Sequence, residues 1–211
     1  MKKQFFIDFD GTITKDDVVH MLVETFCPEG WKELNDRWER KEISTEECAR
    51  QTFGLFEVSE RDFYRMLDTI ELDEYFIPFV KICRKKGYSI CILSDGYDKI
   101  IEYLLKKYGL ADLPFFANRL VREGQHFNIA CPYFNTECGQ CGTCKKTVLQ
   151  MLKKPDCMTI YVGDGYSDTC VIEAADAVFA KKSLLEYCRE KNIPVTPFDS
   201  FADICDTIDK S

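Results

Sequence analysis

Asp8 and Asp10 stand one residue apart at the end of an apolar run, FFIDFDGTIT (5–14), and Gly11 follows directly. An extended strand repeats its side-chain direction every second residue, so both carboxylates aim into one crevice while Phe9 turns to the packed opposite side. Like charges that close raise each other's pKa unless a cation sits between them, and clustered carboxylate oxygens suit Mg²⁺. Gly11 allows a sharp backbone turn, and Thr12 adds a hydroxyl and an amide that can hold an anionic oxygen. The bland alternative is a pair of strand-end aspartates making turn hydrogen bonds.

Three further stretches add to the pair. CILSDG (91–96) places Ser94 at a predicted strand end before an Asp-Gly turn, where a hydroxyl and the adjoining amides, Gly96 included, can donate to an anion. CKKTVLQML (144–152) sets Lys145 and Lys146 at a helix start, where one lysine can neutralise phosphate charge, helped by the helix dipole. YVGDGYSD (161–168) supplies Asp164 and Asp168 after another strand. Each has an ordinary reading: a plain turn, a solvated lysine, or surface carboxylates.

The elements that must position these groups alternate along the chain. KQFFIDF (3–9), YSICILS (88–94), MTIYVG (158–163) and DAVFA (176–180) read as buried strands. Helical patterns follow them, DKIIEYLLKKYG after the second and SDTCVIEAA after the third, the latter with Ser167 as its cap. This predicts an α/β fold, a Rossmann-like doubly wound parallel sheet whose ligands gather at the carboxyl ends of the strands. Residues 14–73 contain no strand-like run, only amphipathic periods such as VVHMLVETF, and read as an inserted helical cap. The core then comprises residues 1–13 and 74–211. Within it, 115–130 reads as a short hairpin and 131–144 as a cysteine-rich loop.

At 211 residues the chain supports one sizeable core plus a small second lobe. Acidic residues outnumber basic ones 36 to 28, which argues against nucleic acid or anionic lipid as a partner. No segment reads as spanning a bilayer, and Asp8 interrupts the opening apolar run too early for a secretion signal. Twelve cysteines in a chain this large fit a reducing, cytoplasmic setting better than a disulfide scaffold. Nothing in the sequence sets an oligomeric state.

In this order, DFDGT, LSDG, CK and GDGYSD resemble the four signature motifs of the haloacid dehalogenase superfamily, whose members are mostly Mg²⁺-dependent phosphatases. A helical insertion after the first motif is similar to the phosphoserine phosphatase-like subgroup. The cysteine-rich loop running into its motif lysine, ECGQCGTCK, resembles the methionine-salvage phosphatases that act on 2-hydroxy-3-keto-5-methylthiopentenyl-1-phosphate. The resemblance implies a phosphomonoesterase acting on a small-molecule phosphate, with that enol phosphate or phosphoserine as substrate. It makes Asp8 the nucleophile, forming an aspartyl-phosphate, and Asp10 the acid and base. It assigns Mg²⁺ to Asp8, the Asp10 carbonyl and Asp164, with Asp168 as a further ligand or as support for the others. Ser94 and Lys145 would bind the phosphoryl group, with Thr12 and Gly96 amides helping; Lys146 is the alternative lysine. Asp17 falls where phosphoserine phosphatases carry an acidic residue that meets the substrate's amine. Asp95 departs from the usual small residue and brings negative charge close to a phosphate site.

Cys131, Cys138, Cys141 and Cys144 form C-x6-C-x2-C-x2-C, a pattern able to hold structural Zn²⁺ and so to fix the approach of Lys145. A reduced, metal-free loop is the alternative. His20 and His126 are too far apart for a metal or triad, and Trp31, Trp38 and the Phe53–Phe56 region are expected to pack inside the cap, with one aromatic facing the substrate as the alternative. The competing function is a non-catalytic binding protein that presents a zinc-bound cysteine loop. The completeness of the four motifs argues against it.

Overall fold

The computed structural model describes residues 2–209 except 28, 41, 57, 124, 125 and 140. Seven strands among the described residues form one sheet: β1 (Lys2–Ile7), β2 (Ser89–Tyr97), β3 (Phe115–Glu123), β4 (His126–Ala130), β5 (Cys157–Gly163), β6 (Ala177–Ala180) and β7 (Thr196–Pro197). Their order is β4-β3-β2-β1-β5-β6-β7, parallel throughout except for the antiparallel β3–β4 hairpin at one edge. β1 lies in the middle, with Phe5 opposite Ile90 on β2 and Ile160 on β5. A central parallel strand is covered on both faces, which is why β1 ends in the unbroken apolar run FFI.

Side chains alternate into two cores. Phe5, Ile7, Ile92 and Val162 face a large cluster with Phe76 and Phe79 of α5 (Phe76–Lys86), Ile100 and Leu104 of α6 (Asp98–Lys107) and Phe201 of the helix at Phe201–Asp209. Phe6, Leu93 and Tyr161 face a smaller one with Val148 and Leu149 of α7 (Lys145–Leu152) and Leu184 of α8 (Lys182–Glu190); the Phe201–Asp209 helix is α9.

Between β1 and α5 lie four helices, α1 (Val18–Phe26), α2 (Trp31–Glu39), α3 (Thr45–Gly54) and α4 (Glu60–Leu67). Side-chain caps start three of them: Asp17 accepts from the His20 amide, Ser44 from Glu47 and Ser59 from Asp62. The chain enters and leaves this insertion side by side, through a Thr14–Leu72 bridge and a hydrogen bond from the Asp73 amide to Ile13 O. Phe53 of α3 stacks edge-on with Tyr97, centroids 4.6 Å apart, and Phe63 of α4 lies 5.3 Å from Phe127 of the hairpin. The insertion therefore shares the larger core cluster with the sheet.

Three elements differ from the sequence expectation. β2 continues through the Ser-Asp-Gly turn to Tyr97, with its register against β3 broken between Leu93 and Tyr97, an irregularity of the kind that re-aims side chains at a strand end. The helix expected after β5 is two short 3₁₀ turns, Tyr166–Asp168 and Ile172–Ala174. There the Asp168 carboxylate takes the amides of Asp164 and Gly165, a local bond that competes with a regular helix start. β7 is two residues long, too short for any periodicity to reveal.

Candidate active site

The carboxyl ends of β1, β2 and β5 open onto a cavity of about 500 Å³, and the helical insertion supplies its far wall. The Asp8 amide continues the ladder to Val162 O, which holds the first aspartate at the sheet's centre beside the loop that carries Asp164. Asp8, Asp164 and Asp168 are all buried, and one oxygen from each lies within 4.8 Å of the others. Lys145, at the first turn of α7, reaches into this group: its ammonium lies 2.6 Å from Asp8 Oδ1, 2.6 Å from Asp168 Oδ1 and 3.2 Å from Ser167 Oγ. Burial opposes the charge on Lys145, but Asp168 and Asp8 outweigh it and hold the ammonium protonated. Lys146, by contrast, pairs with Glu173 on the surface.

Asp168 is saturated. Its Oδ1 accepts from Lys145 and from the Tyr161 hydroxyl at 2.6 Å, and its Oδ2 from the amides of Asp164 and Gly165. Asp164 accepts from the Thr12 hydroxyl at 3.1 Å and from Lys182 at 2.8 Å, and Lys182 also reaches Gly11 O. Lys182 takes a left-handed backbone, φ 46°, unusual for a residue with a Cβ and located at the site. Tyr161 and Lys182 were not legible as functional residues. One sits inside an apolar strand pattern and the other in an unremarkable Lys-Lys pair.

Asp10 turns toward the opposite lip. Its Oδ2 accepts from Ser94 Oγ at 3.2 Å, and Ser94 Oγ in turn accepts from the Gly96 amide at 2.8 Å. Its Oδ1 is enclosed and, among the described residues, has no hydrogen-bond partner. Burial, reinforced by the charge of Asp17, raises the Asp10 carboxyl to about 7. Burial also pushes Asp8 well above the ordinary carboxylate range, with Asp168 and Asp164 adding to the rise and Lys145 opposing it. Glycine is required at both turns. At Gly11, φ +72°, a Cβ would stand 2.5 Å from Asp164 Oδ2, and at Gly96 one would stand 2.4 Å from Asp10 Oδ2.

A divalent cation fits this donor set. Converging carboxylates offer hard oxygen ligands, and the three buried aspartates meet two ammonium groups among the described residues, Lys145 and Lys182, which leaves negative charge for a cation. Zinc at the cysteines is not supported: among the described residues the three aspartates are the one group of three or more His, Cys, Asp or Glu side chains that converges. Cys144 Sγ lies against Thr147 Oγ1 at 3.2 Å, and Cys131 packs against the larger core cluster instead of its sequence neighbours. The Cys138 thiol meets Cys170, beyond the motif at 164–168. No disulfide joins any of the twelve cysteines.

Asp95 is among the residues lining the cavity, with its Oδ1 engaged by Asn118 and the Thr143 amide. Asp17 caps α1 and also lines the cavity. More than one aromatic faces the cavity: Phe53 and Phe56 are packed, but Phe53 also lines the cavity, and Trp31 and Trp38 remain partly exposed and line it with Val19, Val23 and Ala49.

A family profile described as "Putative Phosphatase" matches residues 4–192. The chain belongs to this phosphatase family, of the haloacid dehalogenase type. Among this phosphatase's relatives is the 2-hydroxy-3-keto-5-methylthiopentenyl-1-phosphate phosphatase of Geobacillus thermodenitrificans (strain NG80-2), 33% identical over all of this chain and 98% of the relative. The protein of the same name from Brevibacillus brevis (strain 47 / JCM 6285 / NBRC 100599) is 32% identical over 96% of this chain and 93% of its own. Solved phosphoserine phosphatases share the fold. A phospho-aspartyl intermediate analogue superposes with a TM-score of 0.72 at 19% identity, and a substrate-bound complex with 0.71 at 20%, each covering 98% of both chains. No helix among the phosphatase's described residues is long and apolar enough to cross a membrane.

Proposed function

We propose that this phosphatase hydrolyses a small, uncharged-tailed phosphate monoester through an aspartyl-phosphate on Asp8, with 2-hydroxy-3-keto-5-methylthiopentenyl-1-phosphate as the first candidate substrate. One observation carries the chemistry: a buried ammonium, Lys145, seated on the Asp8 carboxylate at the mouth of three strands, with Asp10 on the opposite lip. Asp8 attacks phosphorus, and the bond to the leaving oxygen breaks as Asp10 delivers its proton there. Asp10, now a base, takes a proton from the water that cleaves the aspartyl-phosphate and frees inorganic phosphate. A carboxyl poised at about 7 is suited to both halves of that cycle. Ser94, Lys145 and the amides of Thr12 and Gly96 hold the phosphoryl oxygens.

Mg²⁺ would be held by Asp8, Asp164 and the Asp10 carbonyl, and when bound supplies the positive charge that phosphoryl transfer demands. Asp168, whose two oxygens already accept four hydrogen bonds, orients Lys145 and the 164–165 loop.

Residues 14–73 act as the cap that selects the leaving group and shields the reaction from water, over a core of 1–13 and 74–211. The apolar wall from Val23, Trp31, Trp38 and Phe53 suits a neutral tail. Among the described lining residues there is no arginine; Lys182 is engaged by Asp164, and His20 lies 3.4 Å from Glu24. The carboxylate of phosphoserine would lack a dedicated cation there, although Asp17 could meet its amine. The names of the relatives support the same order of preference.

The test is phosphate release from a panel of metabolite esters, with Mg²⁺ and with a chelator, for wild type and Asp8→Asn. Expected is Mg²⁺-dependent turnover abolished by Asp8→Asn, with kcat/KM for the enol phosphate at least tenfold above that for phosphoserine. Turnover that survives Asp8→Asn would end the covalent reading, and a preference for phosphoserine would overturn the substrate assignment.

A further inference from the structure

The segment that delivers Lys145 is held by a buried polar cluster outside the reacting groups. Asp95 Oδ1 accepts from the Thr143 amide at 2.8 Å and from Asn118 Nδ2 at 3.1 Å. Asn118 Nδ2 also reaches the Asp95 carbonyl at 2.7 Å, and the Thr143 hydroxyl donates to Asn118 Oδ1 at 3.1 Å. Asn118 is 1% exposed and Thr143 is fully buried. Gly142 closes the approach, since a Cβ there would stand 2.8 Å from both polar atoms of the Asn118 side chain. Thr143 lies two residues before Lys145, and Asp95 directly follows Ser94.

We propose that Asp95 and Asn118 are positioning residues that clamp the 142–144 segment to the end of β2, so that Lys145 and Ser94, distant in sequence, keep a fixed separation across the phosphoryl site. The clamp acts through Lys145 and does not touch substrate. It performs the anchoring that the cysteine pattern pointed to, with hydrogen bonds in place of metal. A carboxylate next to a phosphate-binding hydroxyl would repel the ligand unless engaged by donors, and here it is. The bonds fall on backbone as well as side chain, so they fix the course of the chain. Finally, α7 begins at Lys145 without a side-chain cap of its own, so the segment before it is held by these partners together with the Cys144 amide on Tyr133 O.

The inference rests on reading Lys145 as a phosphate-binding group, and the experiment separates the two. Asp95→Ala, Asp95→Asn and Asn118→Ala are compared with wild type for kcat/KM on p-nitrophenyl phosphate with Mg²⁺, inhibition by inorganic phosphate, and melting temperature. A displacement of about 1 Å at a reacting centre costs on the order of 10²-fold, so Asp95→Ala is expected to lose about that in kcat/KM and to bind phosphate more weakly. Asp95→Asn keeps an Oδ1 acceptor for both donors and is expected to stay within about tenfold of wild type. Lower melting with unchanged kcat/KM and phosphate inhibition would reduce the cluster to a packing role and overturn the proposal. Should Asp95→Ala fail to fold, Asn118→Ala removes the Asn118 bonds to Asp95 and to the Thr143 hydroxyl, leaving the Thr143 amide on Asp95 Oδ1, and is judged by the same readouts with a smaller loss expected. Crystal structures decide independently of turnover: Lys145 still seated on Asp8 in the double variant Asp95→Ala/Asn118→Ala refutes the clamp. A wild-type enzyme that neither turns over nor binds phosphate refutes the role of Lys145 alone.

Discussion

Replacing Lys145 by methionine is the sharpest probe of the electrostatics of this site. The substitution keeps most of the side-chain volume and removes one charge that two buried carboxylates share at 2.6 Å each, with side-chain exposures of 2% for Lys145, 7% for Asp8 and 0% for Asp168. Removing one partner of a buried pair typically costs about 3–5 kcal/mol because the remaining charge stays desolvated and unmatched. For a chain of this size each kcal/mol moves the midpoint by about 2–4 °C, so metal-free Lys145→Met is expected to melt roughly 6–20 °C below wild type. The direction with pH follows from Asp8, whose folded pKa burial holds above its unfolded value. Protonation favours the folded variant, so the deficit shrinks on acidification and grows as pH rises through the range where Asp8 ionises. Urea denaturation in a chelator, repeated with Mg²⁺, measures both effects. Mg²⁺ at a hundredfold excess over its dissociation constant adds about 2.7 kcal/mol by linkage, and the variant, freed of a competing cation, should recover at least that. A metal-free loss below about 1 kcal/mol would refute the view that Lys145 neutralises the site.

Asp10→Asn should lower kcat by about 10²–10⁴ on an alkyl phosphate and markedly less on p-nitrophenyl phosphate, whose leaving group needs no proton; equal losses would remove Asp10 from the acid role. Gly96→Ala drives a Cβ to 2.4 Å from Asp10 Oδ2 and 3.0 Å from Ser94 Oγ. Steady-state assays should show kcat/KM down by about 10²-fold, and a fully active variant would contradict the geometry of that turn. In thiol titration at pH 8, exposed Cys170 should react well before Cys83 and Cys91, whose thiols burial pushes up to about 12. Labelling of those two at the rate of Cys170 in the native protein would show that the sheet faces open readily.

What was legible in the sequence was whatever depends on short spacing. The Asp8–Asp10 pair follows from the period of a strand, and Ser94, Lys145 and Asp164 from strand ends and a helix start. The parallel α/β sheet follows from alternation of the two periods. What was not legible depends on chain segments far apart. Tyr161 reads as one more apolar strand residue until Asp168 is seen to fold back onto its hydroxyl. Lys182 gains meaning only from lying against Asp164 and Gly11 O. The cysteine spacing pointed to a metal because local spacing is blind to Asp95 and Asn118, which reach the same loop from 48 and 25 residues away. The tryptophans read as core because hydrophobic periodicity cannot separate a packed interior from an apolar cavity wall.

The placement of β1 at the centre of the sheet also bears on how the molecule is made. Gln4 pairs with Ser89 and Lys2 with Cys157, so the strand that leads into both reactive aspartates gains β2 in the first half of synthesis but lacks its second neighbour until Cys157–Gly163 has left the ribosome. During synthesis an unpaired, phenylalanine-rich segment waits in water, exposed to other nascent chains and to chaperones. Assembly of the nucleophile is thereby tied to the arrival of β5, and a truncated product ending before Cys157 would carry the aspartates at an open sheet edge, without the loop that brings Asp164 and Asp168.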